Sequence, residues 1–300
     1  GESLRRMEIS FYQVDVFTKH LFGGNPLAVF PQAQDFKEED LQKVAREMNL
    51  SETTFVYPST SEEADFDVRI FTPTCEIPFA GHPTLGTAYV LRENGLVTKD
   101  KNPLRLNFKA GIIPVWAEED KGFMQHPPAK FLQELERSEK ISQALGLGLK
   151  CLDDRFPIQV VSTGFPALLV PVISLDNIKE VAINAQVLDE VLEPLGIDMV
   201  YAFTTQVVHS SFTLHSRAFA PSMGIPEDPA TGSVSGAVGA YLAKYDVIEK
   251  EKLGDIKIEQ GYEMKRPSSI YVQVTQQGSE IQKIRVGGQT QPVFMGRMNL

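Results

Sequence analysis

The chain has 300 residues, more than one ordinary core requires and comfortable for two domains of about 150. Its composition is globular, 42% hydrophobic and 23% charged, and a formal net charge of -10 argues against nucleic acid as a partner, because phosphate binding needs a basic surface. No apolar run approaches the roughly 20 residues that span a bilayer, and no charged-then-apolar leader is apparent.

Residues 1–6 ahead of Met7 read as a vector-derived leader. The β-branched and aromatic alternation of Ile9-Ser-Phe-Tyr-Gln-Val-Asp-Val-Phe predicts a strand. Gly23-Gly-Asn-Pro is a turn, and Leu27-Ala-Val-Phe a buried strand after it. Leu41, Val44, Ala45 and Met48 form the stripe of a helix over about 37–49. Strands are expected over 53–57 and 66–71, and a helix over 84–91 rich in small residues. Further strands follow near 104–108 and 112–117, with Gly111 as their turn. His126-Pro-Pro is a break, and the domain boundary is placed there.

In the second half, strands are expected at 157–161, 167–172, 200–203 and 212–219, with a helical stretch over about 187–195. A small-residue helix is expected over 235–244, then strands at 256–259, 269–275 and 281–286. The terminal Pro292-Val-Phe-Met-Gly-Arg-Met reads as a strand crossing back to the first domain. The domains are therefore 7–126 with 288–300, and 127–287. Short mixed strands with one or two long helices per half imply an α+β fold. Each half is expected to be a curved, mostly antiparallel sheet around a central helix, because the Gly86, Ala88, Gly236, Ala237, Gly239 and Ala240 content suits a helix enclosed at close range.

Two segments repeat. Phe71, Pro73, Ile77 and Pro78 match Phe219, Pro221, Ile225 and Pro226 at an offset of 148, and a three-residue insertion then aligns Gly81-His82 with Gly232-Ser233. Pro26 and Pro31 around Leu-Ala-Val-Phe echo Pro166 and Pro171 around Ala-Leu-Leu-Val. Duplication of the whole half follows, with two Gly-containing loops that each run into a helix. Helix starts offer unpaired N–H groups and the positive end of the dipole, so two of them aimed at one cleft would hold a substrate carboxylate. Gly81 and Gly232 allow close backbone approach; His82, Ser233 and Asp228 are the polar groups beside them. A bland alternative stands for each: Ser233 as an N-cap, Asp228 before Pro229 as a turn residue, His82 as a structural histidine. Glu52, between helix and strand, is either a solvated loop acid or a cleft carboxyl raised by desolvation and suited to moving protons.

Cys75 and Cys151 are too few for a disulfide framework, so reduced thiols and a cytoplasmic setting are expected. His20, His82, His126, His209 and His215 are scattered without metal-ligand spacing.

Asn25-Pro-Leu-Ala-Val-Phe, Ala45-Arg-Glu-Met-Asn-Leu-Ser-Glu-Thr-Thr-Phe, Phe71-Thr-Pro, Glu76-Ile-Pro-Phe-Ala-Gly-His-Pro, Glu227-Asp-Pro-Ala-Thr-Gly-Ser and Gly296-Arg-Met-Asn-Leu together resemble the phenazine-biosynthesis PhzF-like isomerase family, in its order and from end to end. The resemblance implies the diaminopimelate epimerase-like fold of two pseudo-symmetric halves. It also implies Glu52 as the main proton-transferring group, with His82 and Asp228 assisting and Ser233, Gly81 and Gly232 holding the substrate. Family members that act on trans-2,3-dihydro-3-hydroxyanthranilate move a proton within the ring, without metal or organic cofactor, and a homodimer is the family expectation. Related epimerases and racemases place a Cys in each loop; here Ala80 and Ala230-Thr231 stand in those neighbourhoods, and Cys75 reads as a packing residue. An epimerase or racemase of an amino-acid-like substrate, a Ser233-His82-Asp228 hydrolase (against which the absence of a G-x-S-x-G elbow counts) and a silent binding protein are the alternatives.

Overall fold

The computed structural model describes residues 7–300; the leader proposed for residues 1–6 lies outside the described residues. In chain order come β1 (Glu8–Val16), β2 (Asn25–Phe30), α1 (Glu38–Met48), β3 (Glu52–Pro58), β4 (Phe66–Phe71), β5 (Glu76–Ile77), α2 (Gly81–Glu93), β6 (Leu104–Phe108), β7 (Gly111–Glu118) and β8 (Lys121–His126). They are followed by β9 (Lys130–Leu135), α3 (Glu139–Leu145), β10 (Ile158–Ser162), β11 (Ala167–Pro171), α4 (Leu175–Lys179), α5 (Ala185–Leu192), β12 (Val200–Thr204), β13 (Leu214–Ala220) and β14 (Ile225–Asp228). The chain closes with α6 (Gly232–Lys244), β15 (Ile256–Gln260), β16 (Ser268–Gln277), β17 (Glu280–Gly288) and β18 (Thr290–Asn299).

Two compact units result. One runs to Met124 and takes in Gly288–Leu300; the other is Gln125–Gly287. The division falls after Met124, where the sequence reading places it after His126. His126 goes with the second unit through its ring nitrogen, 2.9 Å from Thr163 Oγ1.

Strand pairing follows the same scheme in both units. In the first, β18 pairs antiparallel with β1, β1 antiparallel with β2, β2 parallel with β3, β3 antiparallel with β4, and β4 parallel with β6. β5 lies antiparallel on β4, and β6 antiparallel to β7. In the second, β9, β10, β11, β12, β13 and β15 repeat these relations in turn, with β14 in the place of β5 and β16 in that of β7. The sheet of each unit is thus α+β with mixed pairing.

Each unit has one enclosed helix. Residues 81–88 of α2 are all buried, and the helix lies against β1, β2, β3, β6, β7 and β18, so the sheet curls around it. A helix buried on every side has no polar face to offer, and the small residues of α2 and α6 match that position. A Cβ on Gly86 would come 2.6 Å from a Leu27 methyl and 2.8 Å from a Val16 methyl; one on Gly239 would come 2.7 Å from Val272 and 2.9 Å from Val274. In both units glycine brings the helix down onto the strands. The opposite sheet faces are covered by the amphipathic helices. α1 seats Leu41, Val44 and Ala45 on an aromatic cluster in which Phe30 and Phe55 stack 5.3 Å apart. α3, α4 and α5 bury Ile141, Leu145, Ile178, Leu188 and Leu192 on β10–β12 in the second unit.

Several elements differ from expectation. β8, β9, α3 and α4 were not anticipated: β8 and β9 flank His126-Pro-Pro, which reads as a break, and α3 and α4, of seven and five residues, are too short for a helical stripe to stand out. α2 and α6 begin at Gly81 and Gly232, three residues earlier than predicted, since tertiary enclosure overrides the poor propensity of Gly-His-Pro and Gly-Ser. Cys75, expected to pack, is exposed: it lies in the turn closed by the Thr72 amide donating to the Cys75 carbonyl, between β4 and β5.

Candidate active site

Glu52 is the first residue of β3 and His82 the second of α2. The parallel pairing of β2 with β3 sets Leu27 beside Glu52, two residues into β2, so Glu52 lies near the starting end of both strands. There His82 Nε2 lies 3.2 Å from Glu52 Oε2, and both side chains are largely buried. Burial pushes the Glu52 carboxyl up to about 7, against a smaller lowering by the neighbouring Ser51 hydroxyl. Ser51 Oγ also reaches Asn25 Oδ1, at 3.4 Å, at the start of β2. Asn25 was legible only as part of a motif; its place beside Ser51 comes from strand pairing.

α2 begins without a side-chain cap. Ala80 holds the N-cap position, Gly81 and His82 are the first two helical residues, and no acidic side chain lies in the first turn. Thr84 Oγ1 donates back to the Ala80 carbonyl at 2.8 Å. At a helix start the first amides have no partner within the helix, and the positive end of the dipole lies there.

The second unit repeats the arrangement. Thr231 holds the N-cap position of α6 without a side-chain cap bond, Gly232 and Ser233 follow, and the first turn again lacks an acid. Ser235 Oγ donates to the Thr231 carbonyl at 2.8 Å, as Thr84 does to Ala80. Ser233 is therefore inside the helix and does not cap it. Asp228, at the end of β14, is buried and accepts from Thr231 Oγ1 at 2.6 Å. The expected site residues thus form two sets, Glu52, Gly81 and His82 in the first unit and Asp228, Gly232 and Ser233 in the second.

Sequence reasoning did not reach a buried ionic network in the second unit. His215 is wholly buried, with Nδ1 2.9 Å from Glu259 and Nε2 2.6 Å from Glu263. Burial alone would lower its pKa, but the two carboxylates outweigh that and hold it above the ordinary histidine value. Its three members are spread from 215 to 263, with no local pattern to reveal them. Among the described residues no group of three or more His, Cys, Asp or Glu side chains is arranged to hold a metal ion. Among the same residues no helix is long and apolar enough to cross a membrane.

The family model described as phenazine biosynthesis-like protein matches residues 14–296. The chain belongs to this family of PhzF-like isomerases. Among family relatives, the trans-2,3-dihydro-3-hydroxyanthranilate isomerase of Pseudomonas aeruginosa is 34% identical, over 96% of this chain and 98% of its own. The crystal structure of a PhzF-family phenazine biosynthesis protein from Bacillus anthracis superposes with a TM-score of 0.88 at 31% identity, covering 97% of this chain and 99% of that one. A hydroxyproline epimerase of Agrobacterium vitis shares the fold at a TM-score of 0.66 and 11% identity, with 98% and 93% covered. The PhzF fold is thus the diaminopimelate epimerase-like one, and the protein is an isomerase by family.

Proposed function

We propose that this enzyme shifts a proton on a small carboxylated substrate of the trans-2,3-dihydro-3-hydroxyanthranilate type by general acid–base catalysis, using side chains alone. The observation that carries the reading is the Glu52 carboxyl, raised by burial to about 7 and held 3.2 Å from His82 Nε2. A carboxyl in that range is ionised often enough at neutral pH to accept a proton, and acidic enough to return it.

In the proposed step Glu52 takes a proton from an sp³ carbon, and the C–H electron pair moves into the adjacent unsaturated system. The same carboxyl then delivers the proton to another carbon of that system, so that substrate and product are isomers. His82 steadies Glu52 or relays its proton. The amides of Gly81 and Gly232, with Ser233, are proposed to hold the polar groups of the substrate, and Asp228 to assist by hydrogen bonding. Positioned acid–base groups contribute about 10²–10⁴-fold, roughly 3–5 kcal/mol of the barrier.

The test is NMR of trans-2,3-dihydro-3-hydroxyanthranilate in D₂O with the full chain. Deuterium enters a ring carbon with the native enzyme and does not with Glu52→Gln, while the substrate still raises the Tm of that variant. Exchange retained by Glu52→Gln rules out the role given to Glu52. Inversion at one carbon without movement of the double bond makes the enzyme an epimerase instead.

A further inference from the structure

β15 ends on Glu259 and Gln260, and both side chains are wholly buried. A buried carboxamide carries donors and an acceptor that need partners. All the hydrogen bonds of the Gln260 side chain go to one place, the turn from Asp228 to the start of α6. Its Oε1 accepts from the Thr231 amide at 3.0 Å. Its Nε2 donates to the Asp228 carbonyl and to Thr231 Oγ1, each at 2.8 Å. With one side of Thr231 Oγ1 occupied as acceptor, its own proton goes to Asp228 Oδ2 at 2.6 Å. Turning the amide over would set an N–H against the Thr231 N–H and an oxygen against the Asp228 carbonyl, so the network admits one orientation.

The backbone after Gln260 serves the same contact. Gly261 has φ +82°, and a Cβ there would come 2.6 Å from the Pro229 carbonyl oxygen and 2.3 Å from that of Arg266. Only glycine lets the end of β15 approach the Asp228–Thr231 turn so closely. Glu259, its neighbour, is anchored in turn by the amides of Val208 and His209 at 2.8 and 2.7 Å and by His215. The strand end that carries Gln260 is thereby fixed from both directions.

We propose that Gln260 is a positioning residue. Its carboxamide locks the Asp228–Thr231 turn and aims the Thr231 hydroxyl at Asp228, which holds that carboxylate in one orientation at the mouth of α6. The inference rests on the reading of Asp228 as a working group of the isomerase.

The experiment compares Gln260→Met, Thr231→Val, Thr231→Ser and the Gln260→Met/Thr231→Val pair in the full chain. It reads kcat and KM with trans-2,3-dihydro-3-hydroxyanthranilate, and amide hydrogen exchange at residues 230–233. Gln260→Met and Thr231→Val are each expected to lower kcat about 10–100-fold with KM changed less than about 3-fold, the scale of a slightly misplaced group. The double variant loses no more than the worse single one, because both remove the same contact. Thr231→Ser recovers most of what Thr231→Val loses. Additive losses, an unchanged kcat in Gln260→Met, or a loss in KM alone overturns the proposal. If Gln260→Met does not fold, the contrast between Thr231→Val and Thr231→Ser decides. If the native enzyme neither converts this compound nor exchanges its protons, the isomerase reading fails separately. Amide exchange then decides the positioning: Thr231 protection reduced about 10-fold or more in Gln260→Met, as expected for loss of a buried hydrogen bond, keeps it, and unchanged protection overturns it.

Discussion

Arg69 and Arg217 make the same contact in the two halves. Each donates from Nε at 3.0 Å and from Nη2 at 2.8 Å to one carboxylate, Glu76 for Arg69 and Glu227 for Arg217. Each guanidinium also lies over the phenylalanine two residues on, 5.3 Å from the Phe71 ring and 5.1 Å from Phe219. The pair ties the strand entering each loop to the strand leaving it, β4 to β5 and β13 to β14. Their settings differ. Arg69 also pairs with the exposed Glu38, whereas Arg217 is buried, its Nη1 donating to the carbonyls of Ile178, Lys179 and Val181 at the end of α4.

Arg217→Met is therefore expected to cost about 3–5 kcal/mol, because it leaves a carboxylate and three carbonyls buried without their donor. Arg69→Met is expected to cost clearly less, since Glu38 is exposed and Glu76 keeps Lys109 at 2.9 Å. Urea unfolding of the two variants checks this; a larger loss at Arg69 would contradict it.

Glu52 gives a pH signature. Its folded pKa, near 7, lies above the ordinary 4.5, so the folded state binds the proton more tightly. The contribution of this carboxyl to stability is fully present below about 4.5 and is lost as pH rises through 7. Glu52→Gln removes that loss. Its Tm relative to the native enzyme should rise between pH 5 and pH 8, by the equivalent of about 2.5 kcal/mol. A pH-independent difference would mean that Glu52 is not desolvated.

His126 has the opposite sign. Burial drives its pKa down to about 4, so the ring is neutral in the fold and takes a proton on unfolding. Stability from this group is present above about 6.5 and is lost as pH falls toward 4, by about 3 kcal/mol. His126→Gln should flatten the acid side of a Tm–pH curve over that window, as read by calorimetry.

How far the sequence was legible depends on the reach of each signal. α1 was readable because Leu41, Val44 and Ala45 recur at helical spacing, and β4 because Phe66–Phe71 is bounded by turn residues. The repeat located both Gly-containing loops, and the family motifs named Glu52 and His82. The support around them was not readable. Arg217 and Glu227, Gln260 and Thr231, and His215 and Glu259 meet only after strands far apart in sequence have paired. α3 was lost because it spans only Glu139–Leu145, too few turns for a stripe to stand out.

Gly86 offers a packing test. Its absent side chain is where Leu27 and Val16 methyls press on α2, so Gly86→Ala is expected to destabilise by about 1–3 kcal/mol despite alanine's better helix propensity. Chemical denaturation measures it. A stabilised variant would show that the sheet can recede from the helix.

The pairing of β18 with β1, from Glu8 opposite Asn299 to Val16 opposite Thr290, has a consequence for biosynthesis. A ribosome makes every residue of the second unit before it reaches Thr290. The later-encoded half can therefore finish folding while the earlier-encoded one still waits for β18, and until that strand emerges the outer edge of β1 needs protection from pairing with a neighbouring nascent chain.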